Sequence, residues 1–307
     1  MRSRLLGRTG LTVSEIAIGT ARLAAPDSDP AEARATIAMA LDRGVDTFEI
    51  DAGDHEAAAL LGRVLKAEGA TQRVHILARV SPRVPLDLPS PHLHADEVYP
   101  GSHIRAGTDA LLASLGVERL AIQQLHMWCP EWLGEGDWLA TFEALRTEGK
   151  IAGFGVSLFD HDVDAGLTVV ASGEIDTVQV MYNLFDQGAA EALFPNSQRH
   201  DVGVIARAPF YYGPLAGPGR NYTKKDWRTG YFYDEHAAET RERADRLAEI
   251  GPAPALALRF SLSHPAISTV ATGIRTRAQL EADLAALEQG SLDPDTRAAL
   301  ARHAWLC

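Results

Sequence analysis

Residues 138–159, WLATFEALRTEGKIAGFGVSLF, carry the pattern that decides the fold. Trp138–Glu148 repeats its apolar residues with the spacing of a helix, and Gly149 follows the last helical turn. A glycine ends a helix there at low cost because it adopts a positive φ without a steric penalty. The next stretch, Gly153–Phe159, is typical of a β-strand. The segment is therefore predicted to form a helix, a tight turn and a strand in succession.

The same alternation of strand and helix recurs along the chain. Short β-rich or apolar stretches occur at Ser14–Thr20, Val45–Asp51, Val74–Val80, Leu120–Met127, Gly153–Phe159, Thr177–Tyr182, Gly203–Ala208 and Ile267–Thr272. Helical spacing occupies Ala31–Arg43, Ala57–Glu68, Ile104–Leu115, Trp138–Glu148, Ala237–Ile250 and Ala278–Glu288. Strands that alternate with helices pair in parallel through right-handed crossovers, and eight such strands close a barrel. We therefore predict an α/β protein, a (β/α)8 TIM barrel formed as one domain by residues 1–307.

Three segments fall outside this alternation. Leu5–Leu11 contains Gly7 and Gly10, which favour a turn, and it is predicted to form an N-terminal β-hairpin ahead of the first barrel strand. Ser81–Ser102 and Pro209–His236 are long and follow strands at their carboxyl ends, the face on which barrel enzymes build their sites. Both are therefore predicted to be functional loops.

Composition narrows the function classes. The chain has 307 residues and a formal net charge of −12, with 46% hydrophobic and 23% charged residues, which excludes a disordered protein. The acidic balance disfavours nucleic acid or an anionic membrane surface as a partner, and no apolar run reaches the roughly 20 residues of a membrane span. No secretory signal is visible, and Cys129 and Cys307 are too few for a disulfide framework. We expect a cytoplasmic protein that acts on a small molecule.

Several motifs, by their order and spacing, resemble the aldo-keto reductase family. They are Leu6–Ser14, Leu60–Arg63, Glu148–Ile151 with Gly155–Ser157, Val178–Val180 with Tyr182 and Asn183, Gly213–Gly217, and Gly273 with Arg275, Gln279 and Leu280. The resemblance runs from Arg4 almost to the last residue. It implies a barrel whose mouth binds NADPH and passes hydride to a carbonyl carbon, with an Asp-Tyr-Lys-His catalytic set. Because hydride delivery creates an oxyanion, such a set must supply a proton or a hydrogen bond.

The sequence departs from this family pattern at the second and third strands. Where the family has Phe-Asp-Thr-Ala and then the catalytic Tyr, this chain has Phe48-Glu49-Ile50-Asp51-Ala52-Gly53-Asp54-His55-Glu56, and no Tyr occurs between Met1 and Val98. Arg79 stands where the catalytic Lys is expected, and the acid is Glu49 or Asp51. The His alone is in place, as His126. The resemblance therefore implies an altered catalytic set, and we expect poor conventional aldehyde reduction.

Proton chemistry identifies the candidate substitutes. An arginine stays charged at neutral pH and cannot shuttle protons, but Arg79 can stabilise an anion or pair with an acid of the second strand. An imidazole can replace a phenol as an acid because its ordinary pKa is about 6.5, close to working pH. His55 is the nearest such group, unless it is a solvated loop residue. His126, at a strand end, is the candidate that orients the carbonyl oxygen.

The resemblance also implies which residues hold the cofactor, NADP(H). Ser157 and Gln179 occupy the positions of the nicotinamide carboxamide ligands, although Leu158 replaces the family's Asn. Arg207 stands where the nicotinamide ring is backed, and a guanidinium can stack there. The remaining candidates are Gly213 to Gly217, including Leu215, at the pyrophosphate, Gly273, Arg275, Gln279 and Arg277 at the 2′-phosphate turn, and Asp283 at the adenine. Otherwise these last charges belong to the solvated start of a helix.

Two further sets of side chains stand in the long loops or next to them. His92, His94 and their acidic neighbours have the types of metal ligands but no regular ligand spacing, so no metal site is predicted. A set of large aromatic side chains is expected to line an apolar pocket unless it faces the core. It comprises Tyr99, Trp128, Trp132, Phe210, Tyr211 and Tyr212.

Three functional hypotheses follow. The first is an NADP(H)-linked oxidoreductase for a carbonyl or alcohol of a small metabolite, in which His126 or His55 bonds the carbonyl and Arg79 stabilises the alkoxide. The second is a redox-neutral dehydratase, lyase, isomerase or cyclase, in which the same imidazoles and Glu49 or Asp51 do acid–base work. The third is a non-catalytic protein that keeps the dinucleotide as a sensor. A charged mouth with a histidine favours the two enzymes over the sensor.

Overall fold

A small antiparallel hairpin precedes the barrel. The computed structural model describes residues 1–25, 27–86, 93–217, 228–232 and 234–306, so parts of both predicted long loops, including His92, lie outside the described residues. Strand β1 (Ser3–Leu5) pairs with β2 (Thr12–Ser14) around a 3-10 turn at Gly7–Thr9. Gly10 returns the chain with a φ of 73°, a conformation that favours glycine. The predicted hairpin is confirmed.

Eight parallel strands follow and close a barrel. They are β3 (Ile16–Gly19), β4 (Thr47–Asp51), β5 (His75–Val80), β6 (Leu120–His126), β7 (Ile151–Ser157), β8 (Thr177–Met181), β9 (Gly203–Arg207) and β10 (Ile267–Gly273). Each strand pairs with the next along the chain, and β10 closes the circle on β3 between Val270↔Ile16 and Gly273↔Gly19. The predicted α/β class and (β/α)8 barrel are confirmed. That residues 1–307 form one domain stays a prediction.

Helices connect the strands on the outside of the barrel. They are α1 (Pro30–Asp42), α2 (His55–Ala67), α3 (Ala95–Val98), α4 (Gly101–Leu115), α5 (Trp138–Thr147), α6 (Ala165–Ser172), α7 (Leu193–Arg199), α8 (Arg228–Tyr231), α9 (Asp234–Arg246), α10 (Ala253–Ser261), α11 (Arg277–Glu288) and α12 (Pro294–Ala301). The six predicted helices are confirmed within a few residues, as α1, α2, α4, α5, α9 and α11. Within the described ranges, no helix combines the length and apolar character that crossing a bilayer requires.

The hairpin covers the end of the barrel where the strands begin. Leu6 and Val13 are fully buried and pack with Leu77 and Ile205 from the barrel interior. Gly203, the first residue of β9, comes so close that an added Cβ would lie 2.8 Å from Cδ1 of Leu6. Because this end is filled by apolar side chains, the opposite end, where the strands finish, is the open mouth.

Most of the large aromatic side chains belong to the core. Trp128 packs edge-on against Trp132 and Trp138, with ring centroids 6.2 and 5.4 Å apart. Tyr99 makes the same kind of contact with Trp132 at 5.6 Å, and Tyr211 is fully buried as well. The expected aromatic pocket is therefore wrong for these four members of the set, because they fill the space between barrel and helices.

Candidate active site

Four predicted catalytic residues meet at the carboxyl ends of neighbouring strands. Glu49 and Asp51 lie on β4, Arg79 on β5, and His126 is the last residue of β6. Because alternate residues of a strand point the same way, both carboxylates of β4 face one side. The four side chains are between 12% and 28% exposed, so they are partly desolvated yet within reach of a ligand. We call them the Arg79 group.

Arg79 ties this group together. Its Nε and Nη2 donate to Oδ1 and Oδ2 of Asp51 at 2.9 and 3.1 Å, a bidentate pair, and its Nη1 lies 3.6 Å from Oε1 of Glu49. Burial opposes the guanidinium charge, but the two carboxylates outweigh burial and raise the pKa of Arg79. Arg79 is therefore a fixed cation that orients two carboxylates, and it is not a proton donor.

His126 carries a neutral imidazole at the edge of this group. Its Nδ1 lies 3.8 Å from Oδ1 of Asp51. Burial, followed by the charge of Arg79, lowers the pKa of His126 to about 4, against an opposing effect of Asp51. The strand end is anchored as well, because the Tyr99 hydroxyl donates to the carbonyl oxygens of His126 and Met127. At neutral pH the ring can donate one N–H and accept at its other nitrogen.

A second carboxylate–guanidinium pair, not predicted from the sequence, lies at the same mouth. Arg207, the last residue of β9, approaches Oδ1 of Asp160 to 2.5 Å, and its Nη2 donates to the carbonyl oxygen of Leu158 at 2.8 Å. The Tyr212 hydroxyl accepts from Nη1 of Arg207 at 2.7 Å and donates to the carboxylate of Asp160, whose oxygens lie at 2.8 and 2.9 Å. We call Asp160, Arg207 and Tyr212 the Arg207 group. The position of Asp160 just beyond the end of β7 is the signal that could have identified it.

Both groups act on the same imidazole. After burial, the charges of Arg79 and Arg207 lower the pKa of His126, and those of Asp51 and Asp160 raise it. In the order of the barrel, β6 with His126 stands between β5, which carries Arg79, and β7, which leads to Asp160. Coulomb effects between such groups fall off with distance, so the two pairs and the imidazole form one electrostatic unit.

Two buried residues at this mouth, Ser157 and Gln179, carry polar atoms without hydrogen-bond partners in the described part of the chain. They are opposite each other in the register of β7 and β8, and both side chains are fully buried. Nε2 of Gln179 donates to Oε1 of Glu49, which connects Gln179 to the Arg79 group. Within the described part of the chain, Oγ of Ser157 and Oε1 of Gln179 have no hydrogen-bond partner. Leaving a buried polar group unpaired costs about 1–3 kcal/mol, so these atoms favour a ligand with complementary polar groups.

The predicted pyrophosphate loop forms a short 3-10 turn. Gly213 and Gly217 flank Pro214–Ala216 with φ values of 146° and 102°, which other residues rarely adopt. Leu215 is buried, and its amide donates to the carbonyl oxygen of Phe210 at 3.2 Å. Binding of a pyrophosphate by Gly213 and Leu215 stays a prediction.

The predicted adenosine end is a turn between β10 and α11. Gly273 is the last residue of β10, and the main-chain N–H of Arg275 donates to Oε1 of Gln279 at 2.8 Å. Asp283 is buried on α11 and accepts from Oγ1 of Thr272 at 3.3 Å. Asp283 is therefore not the solvated helix charge of the alternative interpretation, while its contact with an adenine stays a prediction.

The two arginines of this turn already have acidic partners. Nη1 of Arg275 donates to Oδ2 of Asp27 at 2.9 Å, and Nη2 of Arg277 donates to Oε2 of Glu32 at 2.9 Å. The pairs are surface-exposed to different degrees, and water and salt screen them. A 2′-phosphate would therefore compete with two carboxylates for the same guanidinium groups.

His55 lies apart from these groups. It is exposed in the first turn of α2, whose N-cap is Asp54. In the described part of the chain, its ring forms no hydrogen bond or ion pair with the Arg79 group, and a catalytic role for His55 stays a prediction. The described residues also include no group of three or more His, Cys, Asp or Glu that could hold a metal ion.

The chain is similar to known proteins in both sequence and structure. Residues 15–304 match the sequence profile of the Aldo/keto reductase family. The chain is 27% identical to the pyridoxal 4-dehydrogenase of Microbacterium luteolum, over 94% of each chain, and 28% identical to the 6-dehydroglucose reductase of Novosphingobium aromaticivorans, over 86% of this chain and 83% of that one. It is similar in structure to the holo form of aldo-keto reductase AKR11C1 from Bacillus halodurans, with a TM-score of 0.81 and 23% identity over 100% of this chain and 97% of that one.

Proposed function

Because the chain belongs to the aldo/keto reductase family, we propose that this oxidoreductase interconverts a carbonyl and an alcohol of a small hydroxylated metabolite, using a nicotinamide cofactor and an altered catalytic set. The observation that carries the proposal is the pair of unpartnered buried atoms, Oγ of Ser157 and Oε1 of Gln179, beside the Arg79 group. A nicotinamide carboxamide carries both N–H and C=O groups and would satisfy both atoms.

The residues around these two atoms have the chemistry to bind the other parts of a dinucleotide. When bound, the cofactor supplies the hydride that adds to the carbonyl carbon. Beyond Ser157 and Gln179, the residues that would hold it are Arg207 at the ring, Gly213 and Leu215 at the pyrophosphate, and Gly273, Arg275, Gln279 and Asp283 at the adenosine end. Our proposal of NADP(H) rests on Arg275 and Arg277, which suit a 2′-phosphate by their fork geometry.

The Arg79 group would bind and polarise the reacting carbonyl. The neutral imidazole of His126 can donate an N–H to the carbonyl oxygen, which orients the substrate. The fixed charge of Arg79 stabilises the oxyanion that develops there, and Asp51 and Glu49 hold that guanidinium in place. His55 stays a candidate acid at the rim of the mouth.

The polar character of the mouth favours a hydroxylated substrate. The carboxylates of Asp51 and Asp160 are 28% and 23% exposed, so they can accept hydrogen bonds from substrate hydroxyls. An apolar aldehyde would desolvate these charges without compensation. The two relatives described above are named for pyridoxal and a dehydroglucose, both polar molecules. The small number of cysteines is compatible with turnover of such a metabolite in the cytoplasm.

The redox-neutral hypothesis keeps one observation in its favour. His126 and Asp51 place a neutral imidazole and a carboxylate 3.8 Å apart, a pair that can move protons without any hydride. An acid–base pair of this kind suits a dehydratase or an isomerase.

One experiment separates the two functions. NADPH and NADH are titrated into the protein and followed by nicotinamide fluorescence, and the loaded protein is then mixed with glyceraldehyde, pyridoxal and other hydroxylated aldehydes in a stopped-flow instrument. We expect saturable binding and loss of the reduced-nicotinamide absorbance with at least one of them. Conversion of a compound without any change in that absorbance would replace the oxidoreductase with the redox-neutral enzyme. Failure to bind either dinucleotide contradicts the proposed function.

A further inference from the structure

The contacts of the described tyrosines indicate which of them could act as a proton donor at the mouth. This matters because reduction of a carbonyl needs a proton donor, and neither Arg79 nor a neutral His126 of low pKa is a strong one at neutral pH. Four of these tyrosines are engaged outside the two charged groups: Tyr99 with main-chain carbonyls, Tyr182 stacked on Phe260, Tyr211 with His236 and Tyr231 with His161. The hydroxyl of Tyr212 bonds a charged pair at the mouth, Arg207 and Asp160.

The hydroxyl of Tyr212 is held by both members of that pair. It accepts a hydrogen bond from Arg207 and donates one to Asp160, all within 2.9 Å. Such charge-assisted bonds fix the position of the phenol oxygen, and the adjacent cation stabilises the phenolate that remains after a proton leaves. Burial raises the pKa of Tyr212 above its ordinary value against the opposing charge of Arg207, so the phenol is protonated at neutral pH.

The main chain around Tyr212 is strained in a way that supports a functional role. Ala208, Tyr211 and Tyr212 have φ values of 54°, 45° and 57°. Positive φ at residues other than glycine costs on the order of 1–3 kcal/mol and persists where surrounding contacts impose it. Nη1 of Arg228 donates to the carbonyl oxygen of Tyr212 at 2.9 Å, which is one such contact.

The Arg207 group also faces the residue that would bind the carbonyl. Asp160 follows β7, the strand next to the one that ends in His126, and Arg207 ends β9 across the mouth. The charges of Asp160 and Arg207 both reach the imidazole. A carbonyl oxygen bonded to His126 therefore lies in the same opening as the Tyr212 hydroxyl.

We propose that Tyr212 is the catalytic phenol of this enzyme, a proton donor supplied by the loop after β9, with Arg207 and Asp160 as its positioning residues; this rests on the proposed function above. As the carbonyl carbon receives hydride, which a bound nicotinamide would supply from its own C–H bond, the C=O π electrons move to the oxygen. The Tyr212 hydroxyl turns from Asp160 to the carbonyl oxygen and gives it the proton, and the electrons of the broken O–H bond stay on the phenolate beside Arg207. Asp160, which is 23% exposed, then relays a proton from water back to the phenolate.

The test compares two Tyr→Phe variants in one loop. Tyr212→Phe removes the proposed donor, and Tyr211→Phe removes a neighbouring hydroxyl that bonds His236. With glyceraldehyde or pyridoxal as the probe, we expect kcat of Tyr212→Phe to fall by about 10²- to 10⁴-fold, the usual contribution of a positioned acid. KM and the affinity for the dinucleotide, measured by fluorescence, should stay unchanged. Tyr211→Phe should keep kcat.

A second measurement, a pH titration of the phenolate absorbance, does not require catalysis. In Asp160→Asn, loss of the carboxylate removes an effect that raises the pKa of Tyr212 and leaves the charge of Arg207 next to the phenol. We therefore expect the phenolate absorbance of Asp160→Asn to rise at lower pH than in the wild type. The double variant Asp160→Asn/Tyr212→Phe should lose most of that step, because the Tyr212 hydroxyl bonds Asp160 directly, whereas the charge of Asp160 is one of several effects that raise the pKa values of Tyr211 and Tyr231.

The outcomes distinguish the two proposals. A wild-type protein that binds the dinucleotide but reduces none of the aldehydes contradicts the proposed function, and the role of Tyr212 with it. A wild type that reduces them while Tyr212→Phe is equally fast overturns the role of Tyr212 alone. A phenolate step that is undiminished in the double variant also overturns it, because Tyr212 would then not be the phenol held by Asp160.

Discussion

His126 can be recognised as a candidate from the sequence because it ends a strand in a motif with a family resemblance. Its protonation state cannot be predicted from the sequence, because burial and the charge of Arg79 come from the surrounding elements. A histidine of ordinary pKa would exchange its proton near neutral pH, whereas this ring is neutral well below that range. A neutral ring can still donate the hydrogen bond that orients a carbonyl oxygen, which is the role that the sequence predicts for His126.

We predict that His126 lowers the free energy of unfolding at acid pH. Its pKa of about 4 in the folded protein, against 6.5 as the ordinary value, means that the unfolded chain binds the proton first. The contribution is fully present above pH 6.5 and is lost as the pH falls through about 4, on the order of 3 kcal/mol for one fully shifted group. Chemical denaturation of the wild type and of His126→Gln checks this. The free energy of unfolding should fall more steeply in the wild type in that interval, and parallel curves would contradict the assigned shift.

The contact between Asp160 and Tyr212 cannot be predicted from the sequence. The two side chains bond each other across 52 positions, and no spacing rule for helices or strands connects them. The path of the loop after β9 and its positive φ values bring Tyr212 to the mouth. Ser157 and Gln179 can be named from the sequence because they stand in motifs that resemble the family, and the parallel register of β7 and β8 places them opposite each other.

At the scale of helices and loops, amphipathic patterns predict α1, α2, α4 and α5 because each has a polar outer face. Among the helices that the sequence does not predict, α6 and α10 show why that signal can be missing. In α6, Ala165, Gly166, Val169 and Val170 are buried within eight residues, so little polar periodicity remains. In α10, Pro252 and Pro254 at the start suggest a loop, although a first helical turn tolerates proline because its N–H groups have no intrahelical partner.

The contact between α1 and α11 leads to a prediction about cofactor choice. Asp27, just before α1, and Glu32, within it, neutralise Arg275 and Arg277. In Asp27→Asn/Glu32→Gln both guanidinium groups become available to a 2′-phosphate. We expect the Kd of NADPH to fall about 3- to 10-fold with little change for NADH, as for a few screened surface charges.

Fluorescence titration with both dinucleotides measures that ratio. Glu288→Gln is the matched control, because it removes another acid at the contact of α1 and α11, one that pairs with Arg43. An unchanged NADPH to NADH ratio in the double variant would mean that Arg275 and Arg277 do not meet a 2′-phosphate.

At the scale of the whole molecule, the alternation of strand and helix was sufficient to predict the barrel. Parallel pairing and right-handed crossovers leave few arrangements for eight strands, so the order along the chain becomes the order around the barrel. The same rule predicts that Glu49, Arg79 and His126 meet, because they lie near the carboxyl ends of successive strands. It does not say how their charges pair, since this depends on side-chain directions.

Closure of the barrel by the hairpin gives a stability prediction. Gly203→Ala would place a Cβ 2.8 Å from Cδ1 and 2.9 Å from the carbonyl carbon of Leu6, so the hairpin has to shift. We expect a loss of about 1–3 kcal/mol, as for other overpacked cores. In the control Gly107→Ala, within α4, the nearest side-chain atom to an added Cβ is 3.9 Å away. That change should stabilise the helix by about 0.5–1 kcal/mol. Urea denaturation measures both, and equal effects would refute the contact.

The apolar floor formed by Leu6 and Val13 has a consequence for traffic through the enzyme. It closes the end of the barrel where the strands begin, so that, in the described part of the chain, ligands reach Arg79 from the end where the strands finish. Two ligands that share such an opening cannot exchange independently, since the deeper one is trapped until the shallower one departs. Binding and release should therefore follow a compulsory order, imposed by a hairpin that touches neither ligand.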